Sequence, residues 1–545
     1  MNLNKAIAIL VFILFHNIMW AQDTLVVQTF TFDDITKRKD TFSFPDDNRT
    51  WEKILMVRTL KCDEKTTRDI YPCGEWDYST STFVYKPAGD TVEVFELEGF
   101  VTPYGKGLDL NGDKGWAFWY DVTDYAPLLK GHVELSSGND QELLDMKFLF
   151  IEGTPPRNVL SVENVYPYGS YKYQQLADDE VLKPQSLVLN SKANSYKLRA
   201  RISGHGHNGP RNCCEWDAKS HTYFINKEVA FRWNVWKDCG FNAIYPQGGT
   251  WQFNRAGWCP GTPVDTYDFE LGEKAFPGDT IELDYGIEMY RENGEKEGNF
   301  RMSHQLFSYD IPNFKNDAAI VEVIAPSTRN EYSRVNPIIK DPTIIIRNTG
   351  RYPLRSLKLT YGRKGNAHQE YLWNGNLKFP EETTVVLPNI DWKGVKNNET
   401  FVVIISETNG TEDDYPQNNR LTSHIQKPVT LPANFKLYLR ANGLGRAKEL
   451  SYTITSDKGA VLYEREKFED DVLYMDPITL PAGFYEFKLT DIREDGMIRH
   501  WWNRSSNPDL IGRNGRIAIM DMKGNLLEEL KYDFAQEVTL RFMIE

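Results

Sequence analysis

No cysteine follows Cys259 in this chain of 545 residues, and no two cysteines have C-x-x-C spacing. The missing spacing removes zinc ribbons and thioredoxin-type redox sites from consideration. The P-loop, G-x-S-x-G and H-E-x-x-H patterns are also absent. Phosphoryl transfer on a P-loop, serine hydrolysis at a nucleophile elbow and zincin chemistry therefore have no support. Positive charge is in deficit: 63 Lys and Arg stand against 77 Asp and Glu, a formal charge of −14. An acidic surface argues against nucleic acid and anionic membranes as main partners. Past the N-terminus no apolar run is long enough to cross a bilayer. Sustained helical periodicity is lacking too, which disfavours helical bundles and coiled coils.

Aromatic residues are abundant: 14 Trp, 28 Tyr and 29 Phe, 13% of the chain, alongside 38 Gly and 27 Pro. That mixture suits short strands joined by many turns. Apolar residues alternate with polar ones at Phe30/Phe32, Phe42/Phe44, Leu357/Leu359/Tyr361, Phe435/Leu437/Leu439, Tyr485/Phe487/Leu489 and Val538/Leu540/Phe542/Ile544. Period two bounded by Gly, Pro, Asn and Asp reads as strand. The fold class is all-β, built from sandwiches. The expected organisation is a leader over residues 1–21 and β-domains over 22–158 and 159–314. An Ig-like sandwich over 315–428 and a further β-domain over 429–545 follow.

The leader reads as a signal peptide. Lys5 precedes an apolar stretch over residues 6–15, and cleavage is expected after Ala21. Export to the periplasm, the cell surface or the medium of a bacterium would permit disulfides. Proximity pairs Cys62 with Cys73 and Cys239 with Cys259, while Cys213 and Cys214 form a vicinal disulfide or stay free. The mature chain is expected to lack a membrane span and to be a monomer.

Chemistry-bearing residues cluster in a few segments. Cys73, Glu75, Trp76 and Asp77 share the pattern C-x-E-W-D with Cys213, Glu215, Trp216 and Asp217. Two carboxylates beside indoles can have separated pKa values and act as general acid and base. Indole faces also pack against sugar rings. The plain alternative is that the acids cap turns or pair with Arg and the Trp residues are core. His205 and His207 form an H-x-H that would need a third metal ligand, with His221 as the candidate. The rim of a binding cleft is the preferred reading, and neither a metal nor a cofactor is expected. Arg255 lies between Trp251 and Trp258, where a guanidinium can stack or donate to a carbonyl or carboxylate. Trp76, Trp216, Trp251 and Trp258 together suggest an aromatic cleft. Trp501 and Trp502, beside His500 and Asn503, read as core or as an exposed sugar platform.

These residues in this order resemble the peptide-N-glycosidase F family, secreted bacterial amidases that remove N-linked glycans. The matching segments are residues 101–104 (VTPY), 121–124 (DVTD), Gly153 with Thr154 and Pro155, 202–204 (ISG), 213–216 (CCEW), His221 with Thr222, and 255–261 (RAGWCPG). The resemblance covers about residues 25–313. It implies two adjacent antiparallel jelly-roll sandwiches with the active site between them. It places the essential acid on Asp77 and a second important acid on Glu215. Trp76, Trp216, His207, Arg255 and Trp258 fall on positions lining the substrate cleft. The family's disulfides map onto Cys62–Cys73 and Cys239–Cys259.

Departures from the family pattern concern selectivity more than reaction type. Tyr78 stands where the family has Arg, His205 where it has Trp, and Asp217 where it has the second cysteine of a C-x-x-x-C disulfide. The family's third acid falls on Asp140, with Glu142 as the alternative. Tyr78, His205 and Asp140 are thus further candidates for substrate contact. The implied reaction is hydrolysis of the amide between Asn and the first GlcNAc of a glycoprotein or glycopeptide. Asp77 would activate water, Glu215 would hold substrate or move a proton, and Arg255 would stabilise an oxyanion. An endo-acting glycoside hydrolase and a carbohydrate-binding or adhesion protein without turnover are the competing readings. Residues 316–427 read as a spacer and residues 430–545 as a docking, glycan-binding or export-related domain.

Overall fold

A computed structural model describes residues 23–34, 36–46, 48–63, 73–105, 108, 110–138, 142–208, 210–290, 298–497 and 514–545. The expected signal peptide, Asp140 and the Trp501/Trp502 pair lie outside these residues. The described chain is built from eight sheets, and the strand pairings are antiparallel except that Val429–Leu431 runs parallel to Glu537–Ile544.

Two sheets face each other at the start of the chain. One carries Trp51–Lys61 between Leu143–Glu152 and Trp116–Asp121, with Thr24–Gln28 at its edge. The other orders Thr262–Pro263, Thr91–Val101, Ser79–Ala88, His132–Ser136 and Lys39–Ser43. Leu143–Glu152 shows why these segments are strands. Leu144, Met146, Phe148 and Phe150 alternate into the core while the residues between them are half-buried. The alternation at Phe30 and Phe32 is an exception. It lies beyond the strand Thr24–Gln28, and Phe30 fills the core from a loop.

A second pair follows. Gln185–Val188, Thr280–Ile287, Lys219–Ile225 and Glu228–Val235 face Thr266–Glu270, Ser195–His205, Asn299–Pro312 and Arg157–Lys172. Ser195–His205 is buried along nearly its whole length. One set of its side chains enters its own core, and the other meets the first sandwich. That junction is polar and paired. Arg201 donates to Glu96 O at 2.9 Å, Tyr125 Oη donates to Gln305 Oε1 at 2.6 Å, and Ser303 bonds the Glu96 carboxylate. Lys197 and Arg199 share Asp124 and Asp268. The two basic side chains are nearly buried, while the carboxylates of Asp124 and Asp268 remain partly exposed.

The remaining chain forms two more pairs. The first packs Ile320, Ile344 and Ile346 against Leu357, Leu359 and Val403. The second packs Leu437 and Ile519 against Ile454, Phe487 and Phe542. All six cysteines are paired, as Cys62–Cys73, Cys213–Cys214 and Cys239–Cys259.

Candidate active site

Asp77 sits in the turn between the Cys62–Cys73 disulfide and the strand Ser79–Ala88, on the first sandwich. The turn is tied to the next strand's end: Tyr78 N donates to Thr102 Oγ1 at 2.8 Å and Thr102 N returns to Tyr78 O at 2.9 Å. Glu215 belongs to the second sandwich. It lies just after Cys213–Cys214, between Ser195–His205 and Lys219–Ile225. Its backbone is held on both sides, Glu215 N donating to Gly206 O and Ala256 N donating to Glu215 O. Gly204 makes this packing possible, because any Cβ there would collide with the Cys214 carbonyl.

The two acids line one cavity of about 660 Å³, with Trp76, Tyr104, Trp216 and Trp258 in its wall. Arg255 does not itself line the cavity but holds residues that do. Its side chain is 0% exposed and its guanidinium lies 4.3 Å from the Trp216 ring and 4.9 Å from the Trp258 ring. Nε donates to Glu215 Oε1 at 3.1 Å, one terminal nitrogen donates to Phe253 O at 2.7 Å, and the other reaches Thr250 O at 2.8 Å and Thr250 Oγ1 at 2.7 Å. Four of the five N–H groups of Arg255 are thus engaged within the protein. Most of its donors are therefore spent on holding Glu215 and the Thr250–Phe253 segment, and its charge acts on both acids.

The electrostatics follow from burial opposed by this cation. Desolvation raises the Asp77 carboxyl above its ordinary value, while the Arg255 charge and the Tyr104 hydroxyl pull it down. Glu215 is likewise raised by burial, with Arg255 lowering it and Asp77 raising it. The Tyr104 hydroxyl is pushed well above its usual value, first by burial and then by Asp77. His205 is held neutral, its pKa brought down to about 3 by burial and by the charges of Arg301 and Arg255. Its ring stacks on Trp258 at 5.3 Å, and Nε2 lies 2.8 Å from Ser203 Oγ and 3.3 Å from Ser79 Oγ. It serves as wall, not as a proton carrier near neutral pH.

The remaining expected residues divide. Trp76 is 43% exposed at the mouth, and His207 is exposed on the rim. Trp216 lines the cavity, and Trp258 forms wall from a nearly buried position with Nε1 donating to Gly204 O at 2.8 Å. Tyr78 is also 43% exposed but does not line the cavity. Glu142 is buried in the first sandwich away from it, its carbonyl accepting from Arg38. His221 is buried in the second core, stacked on Trp233 and bonded to Tyr285 Oη at 2.6 Å, so it does not join His205 and His207. Trp251 is not part of the cleft wall. It is 1% exposed and points its Nε1 to Asp533, since the loop turns that side chain away from the cavity.

Tyr104, Thr250 and Phe253 line the site without having been expected. Tyr104 ends the VTPY segment, so its place in a shared motif was a usable signal. A second cavity of about 510 Å³ touches Asp124, Arg157, Lys197, Arg199, Asp268 and Glu270. These charges are paired with one another, so they leave little for a ligand.

Fold and site together define an all-β protein with two acids and a buried arginine in an aromatic cleft between two sandwiches. A family model described as "Peptide-N-glycosidase F, C terminal" matches residues 172–307. Peptide-N(4)-(N-acetyl-beta-D-glucosaminyl)asparagine amidase F of Elizabethkingia miricola is 30% identical over 270 residues, covering 47% of this chain and 73% of that protein. The chain belongs to the peptide-N-glycosidase F family. Among solved structures, recombinant peptide:N-glycanase F is 28% identical, with TM-score 0.45, covering 53% of this chain and 96% of its own. PNGase F described as a glycosylasparaginase from Flavobacterium meningosepticum is also 28% identical, with TM-score 0.43 and the same coverage.

Proposed function

We propose that the chain is an amidase that hydrolyses the Asn–GlcNAc amide of N-glycoproteins or glycopeptides, with Asp77 and Glu215 as its working acids. The observation that carries this reading is the meeting of Asp77 from one sandwich and Glu215 from the next in a single Trp-walled cavity, with Arg255 fixed beside Glu215. Burial makes Asp77 a better base than an exposed carboxylate, because a base works best with its pKa nearer the operating pH.

In the proposed reaction Asp77 takes a proton from water as its oxygen bonds to the amide carbon. The tetrahedral intermediate then collapses, the C–N bond breaks, and the proton goes to the departing nitrogen. The products are an Asp-containing peptide and a glycosylamine, which loses ammonia in solution. Glu215, held by Arg255, orients the first sugar by accepting its hydrogen bonds. Trp76 at the mouth offers an indole face for a sugar ring. Action outside the cytoplasm is supported by the pairing of all six cysteines.

The test is Asp77→Asn in the full chain, assayed on a defined N-glycopeptide. Loss of general base catalysis is expected to lower kcat by roughly a hundredfold or more, with KM little changed. Unchanged glycan release would remove Asp77 from the role of base.

A further inference from the structure

The last sheet pair reaches into the back of the active site. Trp251 Nε1 donates to Asp533 Oδ1 at 3.0 Å, with the two residues only 1% and 2% exposed. Tyr104, Trp251 and Ala535 form one small buried cluster, with Tyr245 packed against it. Two further contacts grip the same loop. Lys531 Nζ donates to Tyr245 O at 2.8 Å. Arg334 stacks 3.6 Å from the Tyr245 ring and donates both to Asn242 O at 2.9 Å and to Glu537 O at 2.7 Å.

What this loop carries is the reason the contact matters. Thr250, next to Trp251, receives two of the Arg255 hydrogen bonds, and Tyr104 Oη lies 3.5 Å from Thr250 Oγ1. Gly249 adopts φ +63 and its backbone presses so close to Tyr104 that a Cβ would sit 2.7 Å from the ring. An unbroken set of contacts therefore runs from Asp533 through Trp251 and Thr250 to Arg255, and on to Glu215. A branch through Tyr104 reaches Asp77.

We infer that Asp533 is a positioning residue for the amidase reaction, acting through Trp251 to hold the 245–255 loop that fixes Arg255 and Thr250. The C-terminal sheet pair is then a structural part of the active site. It is more than the docking, glycan-binding or export-related domain expected from sequence. This inference rests on the proposed amidase function for its kinetic consequence, and on the geometry alone for its structural one.

The experiment uses the full chain and three variants: Asp533→Ala, Trp251→Phe and Asp533→Asn. Asp533→Ala and Trp251→Phe each remove the hydrogen bond, whereas Asp533→Asn keeps an Oδ1 acceptor. On a short N-glycopeptide the first two are expected to lose roughly ten- to a hundredfold in kcat, the scale of small misplacements in a site. KM should change little, and Asp533→Asn should retain most of kcat. Combining Asp533→Ala with Trp251→Phe should cost no more than either alone, since both break one bond. Amide hydrogen exchange is read in parallel. Residues 247–256 should exchange faster in the first two variants, while strand Asn434–Arg440 in the same sheet pair stays protected. Wild-type exchange in residues 247–256 of Asp533→Ala and Trp251→Phe would overturn the inference. So would wild-type kcat in both. Absence of turnover by the unmodified chain would count against the amidase reading, and the exchange result would still decide the role of Asp533.

Discussion

Arg255 shows how much one side chain can decide. A guanidinium with 0% exposure between two indoles is held by four hydrogen bonds and stands beside both acids. Burial raises Asp77 and Glu215, and Arg255 is the main influence pulling each of them back. Asp77 must be ionised to act as base, so activity is lost as pH falls through its raised pKa. Replacing the cation by Arg255→Gln removes the opposing charge, which raises that pKa further. The acid limb of the kcat/KM profile is therefore expected to move to higher pH, with kcat reduced because Glu215 loses its anchor. An acid limb that stays in place would show that Arg255 does not set the charge of the base. His205 does not enter this profile near neutrality, because burial keeps its ring neutral down to about pH 3.

At the scale of the element, the decisive piece is an irregular loop. Between Glu228–Val235 and Thr262–Pro263 the chain forms no named strand or helix, yet it carries Thr250, Phe253, Arg255 and Trp258. Long irregular stretches inside compact domains are commonly functional. The Cys239–Cys259 disulfide, with a sequence separation of 20, closes most of this loop. Changing both cysteines to Ser is expected to cost roughly 3 kcal/mol of unfolding free energy by the loop-closure argument. Denaturant melts would read this cost, and activity should fall with it. An unchanged midpoint with full activity would mean that the packing of Trp251 and Arg255 holds the loop unaided. This loop also marks where sequence reading stops. Arg255 and Trp258 were legible because they sit in a shared motif, and Asp77 and Glu215 because they sit in matching acid–indole segments. Trp251 was misplaced because neighbours along an irregular chain carry no periodicity from which to tell inside from outside. Tyr104 and Thr250 meet only through tertiary contact, which no local pattern encodes.

Across the whole molecule, the all-β class was legible from period-two alternation, and Asn434–Arg440 follows it residue by residue, whereas Glu537–Ile544 departs from it where Phe542, Met543 and Ile544 are all buried. How the sheet pairs dock was not legible. The first two meet through paired polar groups such as Arg201 on Glu96 O and Lys197 on Asp124, and isolated acids and bases do not announce their partners. The last pair meets the active-site loop through a hydrogen bond between residues 282 positions apart. Residues beyond 314 lie outside the resemblance, so only the folded chain brings Asp533 to Trp251.

The central claim is the reaction itself: cleavage of the C–N amide by two acids in the cleft. The most direct measurement is mass spectrometry of a defined N-glycopeptide after incubation with the full chain in heavy-oxygen water. The expected result is conversion of the glycosylated Asn to Asp with one heavy oxygen in the new carboxyl group. The intact glycan should be released as glycosylamine or its hydrolysis product. A GlcNAc left on Asn would show cleavage between sugars, and binding without any new product would show a lectin-like protein. Either of those two results would contradict the amidase assignment.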